Sequence, residues 1–199
     1  MMAIRGKKVA LALTLSNPSK FQISATKKTV VVVFEQDKFR PYTGTPSTIS
    51  GVIGQASATI FAAYYDMGGE GVAFHDSGGR DGGDFRRPDE VDIGGNAPEY
   101  VVGWTNSGEW LTYSVYVEES GDYEFNAIIG APGTNGRYSL LMDDVDISGI
   151  LESKQTPGAY GDLRPNLSMV HLTKGNHILK FFMNVGAYDF KGMIFTRKN

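Results

Sequence analysis

The sequence contains no cysteine, so disulfide bonds and thiol catalysis are excluded for this chain. It has no apolar run long enough to cross a membrane as a helix. Its formal net charge is only −3 and its basic residues are scattered, so the concentrated positive charge that nucleic-acid binding needs is missing. We therefore expect a soluble globular protein with neither a nucleic-acid partner nor a membrane partner.

The first fifteen residues show a superficial likeness to a signal peptide. Arg5, Lys7 and Lys8 precede an apolar run, but that run is short, and SNPS follows where small cleavage-site residues would be expected. We interpret this segment as a β-strand.

Glycine is abundant, with 25 residues, and it falls between short apolar stretches together with eight prolines. Many tight turns between strands require this pattern, because glycine adopts positive φ freely. The sequence predicts strands over residues 58–65, 100–104, 110–117, 123–129, 138–142, 167–172, 177–183 and 190–196. No convincing helix is predicted. We expect an all-β protein, a β-sandwich of two antiparallel sheets with its loops gathered at the ends and edges.

The composition changes near residues 40–48, where Pro41, Gly44 and Pro46 would interrupt a strand. This change indicates a domain boundary. We assign residues 1–45 to an N-terminal β extension or the remnant of a preceding domain, and residues 46–199 to the main module. Three strands are predicted in the extension, over 9–15, 21–26 and 29–35. So short a segment cannot bury enough surface alone, so we expect it to dock on the module unless it belongs to another domain.

The sequence contains no clear catalytic motif. None of the three histidines accompanies a Gly-x-Ser-x-Gly elbow, and no histidine pair has the spacing of a zinc site. Acidic residues such as Glu70 and Glu109 lie beside glycines, where they are usually solvated loop residues. The Gly/Asp-rich stretch 75–90 lacks the ordered spacing of a calcium loop and is better read as a surface loop. We predict no catalytic residues.

Two aromatic residues fall in segments rich in turn-forming residues. Phe85 follows Gly-Gly-Asp, and Tyr160 lies in QTPGAYGD. Exposed aromatic faces of this kind pack against sugar rings, although each ring could instead cap the core.

Four segments, AAYYDMGGEGVAFHD, GGDFRRPDEVDIG, VGWTNSGEWLTYSVYV and LTKGNHILKFFM, together resemble a family 6 carbohydrate-binding module. The resemblance covers about residues 58–197, and residues 102–117 are its most specific part. It implies a jelly-roll β-sandwich with a ligand cleft formed by loops at one edge.

The resemblance also implies a ligand-binding set. Phe85 and Tyr160 match the aromatic pair that sandwiches a sugar ring, and we expect their faces on opposite sides of one cleft. Tyr188 and Asp189 match the aromatic–Asn pair that completes it, and Glu70 matches an acid that reads sugar hydroxyls in some members.

The sequence departs from the family pattern at the positions that bind calcium in the family. Two glutamates of the family's first strand hold a structural calcium, and the matching positions here are Phe61 and Ala63. Apolar side chains cannot replace carboxylates on this ion. We expect no required cofactor, with a structural calcium elsewhere left open.

The resemblance thus implies a non-catalytic module that targets a secreted polysaccharide-degrading enzyme to a plant or algal polysaccharide. Its expected partners are an oligo- or polysaccharide and a catalytic domain of the parent protein, and the chain itself is expected to be an extracellular monomer. The alternatives are a small glycoside hydrolase on the same sandwich and a structural spacer that binds no glycan.

Overall fold

The computed structural model describes residues 10–13, 30–33, 40–79, 81–86 and 89–199, with only the backbone for the first two ranges. The chain divides into two compact units, residues 1–38 and 39–199. This division falls before the boundary predicted between residues 45 and 46.

The first unit contains an antiparallel pair, β1 (Ala10–Leu13) and β2 (Val30–Val33), with Ala10 opposite Val33. Two of the three strands predicted in this region overlap the pair. The third, over residues 21–26, lies outside the described residues. The docking of this segment on the module stays a prediction.

The second unit is a sandwich of two sheets. The larger sheet comprises β3 (Ser47–Ile49), β5 (Phe74–His75), β8 (Trp110–Val117), β10 (Arg137–Met142), β11 (Val145–Asp146), β12 (Leu151–Glu152) and β14 (Gly175–Val185). The smaller comprises β4 (Ile60–Phe61), β6 (Ile93–Gly94), β7 (Val101–Val102), β9 (Gly121–Gly130), β13 (Arg164–Leu172) and β15 (Asp189–Arg197).

The larger sheet has the order β11-β10-β14-β8-β3, with β12 beside β10 and β5 beside β8. The smaller has the order β13-β9-β15-β7-β6, with β4 beside β15. All pairings between the described strands are antiparallel except that of β3 with β8. The predicted all-β sandwich of two antiparallel sheets is therefore confirmed, with one parallel edge pair added.

The core lies between the sheets and is rich in aromatic rings. Phe181 on β14 stacks on Phe190 on β15 with ring centroids 3.8 Å apart, which joins the two sheets directly. On β14, alternate residues Leu179, Phe181 and Met183 are buried, as the period of two in GNHILKFFM predicts. His177, at the end of this alternation, is only partly buried and its Nδ1 pairs with an Asp143 oxygen at 2.7 Å, a structural contact.

The segment predicted as a strand over 58–65 is mostly a different structure. Only Ile60 and Phe61 pair as a strand, and residues Ala62–Tyr64 form a 3₁₀ helix whose two alanines are buried. The described residues contain one other 3₁₀ helix, Ala159–Gly161, and no α-helix. None of the helices in the described part of the chain is long and apolar enough to span a membrane.

Candidate functional site

One end of the smaller sheet brings three segments together. Asp189, the first residue of β15, pairs with Gly130, the last residue of β9. On the other side of β15, Phe190 pairs with Val102 of β7, so that Gly103 and Trp104 emerge beside Asp189. The strand register therefore places segments that are far apart in sequence around one opening.

A cavity of about 730 Å³ lies at this end of the sandwich. Its walls are formed by glycines, two aromatic residues, two aliphatic residues and several polar residues: Gly78, Gly79, Asp81, Asp92, Gly94, Gly95, Val101, Gly103, Trp104, Thr105, Asn106, Tyr160, Ala187 and Asp189. A volume of this size is within the range of small-molecule binding sites.

Trp104, one of the two tryptophans in the chain, is half exposed, with 54% of its surface accessible. It has a positive φ of 48°. The next residue fixes this conformation, because the Thr105 hydroxyl donates to the Tyr188 carbonyl (2.6 Å) and the Thr105 carbonyl accepts from the Ala187 backbone N–H (2.9 Å). A hydrogen-bonded loop thus holds a large aromatic side chain at the cavity wall.

Gly94 provides space beside Trp104. A Cβ at this position would lie 3.5 Å from the Trp104 ring atom Cζ3, an ordinary contact distance. The absence of a side chain there leaves the ring lying close over the backbone of β6.

Tyr160 lies in the 3₁₀ helix Ala159–Gly161 and is 43% exposed. Thr156 anchors this helix, with its Oγ1 lying 2.6 Å from the Ala159 carbonyl and accepting from the Ala131 N–H at 3.0 Å. The helix passes so close to β9 that a Cβ on Gly130 would lie 2.2 Å from the Tyr160 carbonyl oxygen. Gly130 therefore permits the position of Tyr160.

Asp189 is a partly buried carboxylate that lines the same cavity. None of the described residues donates a hydrogen bond to its side chain, and burial raises its pKa to about 6. Its Oδ1 lies close over Gly103, where a Cβ would approach to 2.9 Å. The position leaves carboxylate oxygens available to a ligand.

A second group of acidic residues lies at one wall of the cavity, and one of them, Asp92, lines it. Glu109 is buried and accepts from the Ser77 hydroxyl (2.9 Å) and the Asn106 backbone N–H (2.8 Å). Asp92 is also buried and accepts from the Asp81 backbone N–H. Burial, reinforced chiefly by the nearby Glu109 carboxylate, raises the pKa of Asp76 to about 7. These groups fix the loop that carries Gly78 and Gly79.

The structure brings together only part of the predicted set. Tyr160 and Asp189 line one cavity. Phe85 does not line it: its ring stacks on Tyr100 at 4.0 Å and contacts Tyr42 and Tyr64, each at 5.9 Å between centroids. The expected pairing of Phe85 with Tyr160 across one cleft is therefore corrected.

Arg86 explains the direction that Phe85 takes. Its φ is positive (59°), its guanidinium donates to the Asp66 carbonyl at 3.0 Å, and it lies 3.5 Å over the Tyr65 ring. These contacts fix the backbone where Phe85 turns toward an aromatic cluster. Arg86 was read from the sequence only as the residue that follows a binding aromatic.

Tyr188 and Glu70 also lie away from the cavity lining. Tyr188 is completely buried in the core, with its ring 6.3 Å from that of Tyr138, so it cannot contact a ligand as predicted. Glu70 instead pairs with His75 at 2.7 Å and accepts from the Asp76 backbone N–H at 3.1 Å. In place of these residues, the cavity contains Trp104.

Sequence reasoning missed Trp104, because it was assigned to the end of a strand. The signal present in the sequence was its position inside the turn-rich segment GWTNSG, between Gly103 and Gly108. A tryptophan in such a turn is more exposed than one in a strand interior.

The two positions matching the family's calcium-binding glutamates are apolar in their surroundings as well. Phe61 contacts the Tyr64 ring at 5.5 Å, and Ala63 is fully buried. No group of three or more His, Cys, Asp or Glu side chains in the described residues is arranged to hold a metal ion.

No family model and no curated protein sequence matches this chain. Solved structures do match. The C-terminal family 6 carbohydrate-binding module of LamC, a marine laminarinase from Zobellia galactanivorans, aligns with a TM-score of 0.56 and 16% identity, over 72% of this chain and 100% of that one.

Two further modules align similarly. CsCBM6-3 from Clostridium stercorarium, in complex with cellobiose, gives a TM-score of 0.55 and 13% identity over 77% of this chain and 98% of that one. A family 6 module used to dissect binding sub-sites gives a TM-score of 0.52 and 17% identity, over 70% of this chain and 93% of that one. The second unit thus has the fold of family 6 carbohydrate-binding modules.

Proposed function

We propose that this chain is a non-catalytic carbohydrate-binding module whose ligand occupies the cavity between Trp104 and Tyr160. The observation that carries the proposal is that two half-exposed aromatic side chains and the Asp189 carboxylate, to which none of the described residues donates a hydrogen bond, line one cavity of ligand size. Each feature matches a different part of a sugar.

The aromatic rings match the apolar faces of a pyranose. Keeping large rings accessible to water forgoes the stabilisation that burial would give, about 1.5–3 kcal/mol for a large side chain. Trp104 and Tyr160 are nevertheless held exposed by specific hydrogen bonds and glycine contacts. A ligand that packs against these rings recovers that free energy on binding.

Asp189 matches the polar edge of a sugar. Its oxygens accept hydrogen bonds from hydroxyl groups, and no described side chain competes for them. One of the structurally similar modules was solved in complex with cellobiose, which supports a sugar as the class of ligand for this fold.

The biological role that follows is targeting. A module with a weak single site raises the local concentration of an attached enzyme on an insoluble polysaccharide through effective concentration, without breaking bonds itself. We propose a secreted polysaccharide-degrading enzyme as the parent protein, and a plant or algal polysaccharide as its target.

The aromatic pair provides the test. Titration calorimetry against a panel of soluble oligosaccharides is expected to detect binding with dissociation constants of about micromolar to millimolar. Trp104→Ala and Tyr160→Ala should each weaken binding about thirtyfold, because loss of a desolvated aromatic anchor costs about 2 kcal/mol or more. Tyr116→Ala is the matched control, since Tyr116 is also exposed but lies on β8 outside the cavity lining.

Two results would contradict the proposal. Wild-type affinity in both cavity variants would place the ligand elsewhere, and no binding to any glycan would favour a structural spacer. A reducing-sugar assay with the same panel separates the binding module from a glycoside hydrolase, since a binding module releases no reducing ends.

A further inference from the structure

The polar side chains of the cavity are mainly acceptors. Two of the side-chain donors that line it are already used within the protein: the Thr105 hydroxyl donates to the Tyr188 carbonyl, and the Asn106 amide donates to Glu109 and to the Trp104 carbonyl. What remains for a ligand among the described lining residues is the Asp189 and Asp81 carboxylates, the Tyr160 hydroxyl and the Trp104 indole N–H. A matching ligand must therefore bring donors.

The described lining residues carry only negative formal charge. Asp189, Asp81 and the buried Asp92 line the cavity, and none of the described lining residues is a lysine, an arginine or a histidine. Asp189 ionises with a pKa of about 6, raised by burial, so it is mostly charged at pH 7.5. An ionised carboxylate that is partly removed from water is stabilised by an opposite charge within about 4–6 Å.

The aromatic walls favour the same kind of ligand. The faces of tryptophan and tyrosine carry negative potential and attract an ammonium group within about 6 Å of the ring. Trp104 and Tyr160 therefore stack against a sugar ring and also favour a cation carried by that ring. A neutral sugar uses the stacking but leaves the charge of Asp189 uncompensated.

An ammonium group fits this combination better than a hydroxyl. It has three donors and no acceptor, whereas a hydroxyl brings one donor with its own acceptor lone pairs. A hydrogen bond to a charged partner is also roughly twice as strong as a neutral one.

We propose that the cavity selects amino sugars, with the ammonium of a glucosamine-type unit paired to Asp189 while its ring stacks on Trp104 or Tyr160. This inference rests on the proposed function and names the ligand class of the same site.

Three ligands of equal length and linkage isolate the charge. A β-1,4-linked glucosamine tetrasaccharide, its fully N-acetylated form and the corresponding glucose tetrasaccharide differ only at position 2 of each ring. Calorimetry at pH 6.5 and low salt should show the amine form binding at least about tenfold more tightly than either neutral form, since charged hydrogen bonds contribute about 1.5–3 kcal/mol.

Asp189→Asn tests the residue. The substitution keeps the shape over Gly103 and removes the charge, so it should weaken binding of the amine ligand about tenfold or more and change binding of the neutral ligands less than about threefold. Glu152→Gln is the control, because it removes the same charge from an exposed position on β12 outside the cavity lining. It should leave all three affinities unchanged.

Salt dependence of the wild-type protein gives a readout that needs no variant. Raising sodium chloride from about 50 mM to about 500 mM should weaken the amine ligand several-fold and leave the neutral ligands unaffected, since salt screens charge pairs and not stacking. Neutral ligands that bind as tightly as the amine form, or an equal loss for all three in Asp189→Asn, would overturn this inference while leaving the proposed sugar site intact. Failure of every ligand to bind would instead defeat the proposed function.

Discussion

Asp76 combines burial with three neighbouring carboxylates, of which Glu109 has the largest effect on its pKa. Its pKa in the folded protein is about 7, against an ordinary value of 3.8. Between these two values the Asp76 carboxyl holds a proton more often in the folded state than in the unfolded state, so its contribution to the free energy of unfolding falls as pH rises from about 4 to about 7. Asp189, with a pKa of about 6, acts in the same direction.

Asp76→Asn should remove the part of this pH dependence that Asp76 contributes. We expect the variant to be more stable than the wild type at pH 8 by about 1–2 kcal/mol, less than the full pKa shift converts to because the carboxyl is partly solvated, and to show no gain at pH 4.5. Urea denaturation at the two pH values measures this. Equal gains at both pH values would mean that ionisation of Asp76 is not the cause.

Single residues show which parts of the candidate site could be read from the sequence and which could not. Tyr160 and Asp189 were identifiable because both match a family pattern and lie where a turn or a strand begins. Phe85 matched the pattern equally well, but the contacts of Arg86 with the Asp66 carbonyl and the Tyr65 ring turn it away from the cavity. Contacts between residues that are about twenty positions apart in the chain cannot be predicted from the local sequence.

At the scale of elements, the approach of one backbone to another decides the geometry of the site. Gly130 lies under the 3₁₀ helix that carries Tyr160, and a Cβ there would come within 2.2 Å of a carbonyl oxygen. The atoms that the new Cβ would meet are backbone atoms of Ala159 and Tyr160, which cannot rotate away as a side chain can. Gly130→Ala should therefore displace the helix and cost about 1–3 kcal/mol of stability.

Binding in Gly130→Ala should fall by at least as much as in Tyr160→Ala, because the whole helix moves. Thermal denaturation and calorimetry measure the two effects. Gly133→Ala is the matched control, because Gly133 lies three residues further along the chain, in the loop after β9, where an added Cβ meets nothing within 4 Å. A Gly130→Ala protein that binds sugar normally would show that the position of this helix is unimportant.

The long strands were more predictable than the short ones. β8, β9, β14 and β15 have eight or more residues, which is enough for a period of two to be recognised. β5 and β6 have two residues each and lie outside every predicted strand, and β7 also has only two residues, although it falls within the strand predicted over 100–104. The pairing of these strands depends on neighbours rather than on their own pattern. The cavity lies among these short elements, so its walls were less predictable than the core.

At the scale of the whole molecule, the residues just before β3 belong to the sandwich. Tyr42 stacks on Tyr64 with centroids 5.0 Å apart, and the Arg40 carbonyl accepts from the Met67 backbone N–H at 2.7 Å. The guanidinium of Arg86 lies 4.9 Å from the centre of the Tyr42 ring. A domain that begins at residue 45 lacks all three contacts.

Two truncations separate these contacts from the role of the first unit. A protein comprising residues 45–199 should melt about 5 °C below one comprising 39–199, because an aromatic pair and its burial contribute about 1–2 kcal/mol and each kcal/mol shifts the melting temperature of such a domain by about 2–4 °C. Tyr42→Ala in the longer truncation should reproduce most of this loss. Sugar affinity should be the same in both, since the residues that line the cavity run from Gly78 to Asp189.

Comparison with the full chain then tests the predicted docking of the N-terminal strands. If those strands pack on the sandwich, the full chain melts above the 39–199 protein, because docking adds burial that the truncation removes. Identical melting temperatures for the full chain and the 39–199 protein would refute docking. Identical melting temperatures for the two truncations would instead show that the Tyr42 contacts add nothing to stability, and the module would then begin at residue 46 as the sequence predicts.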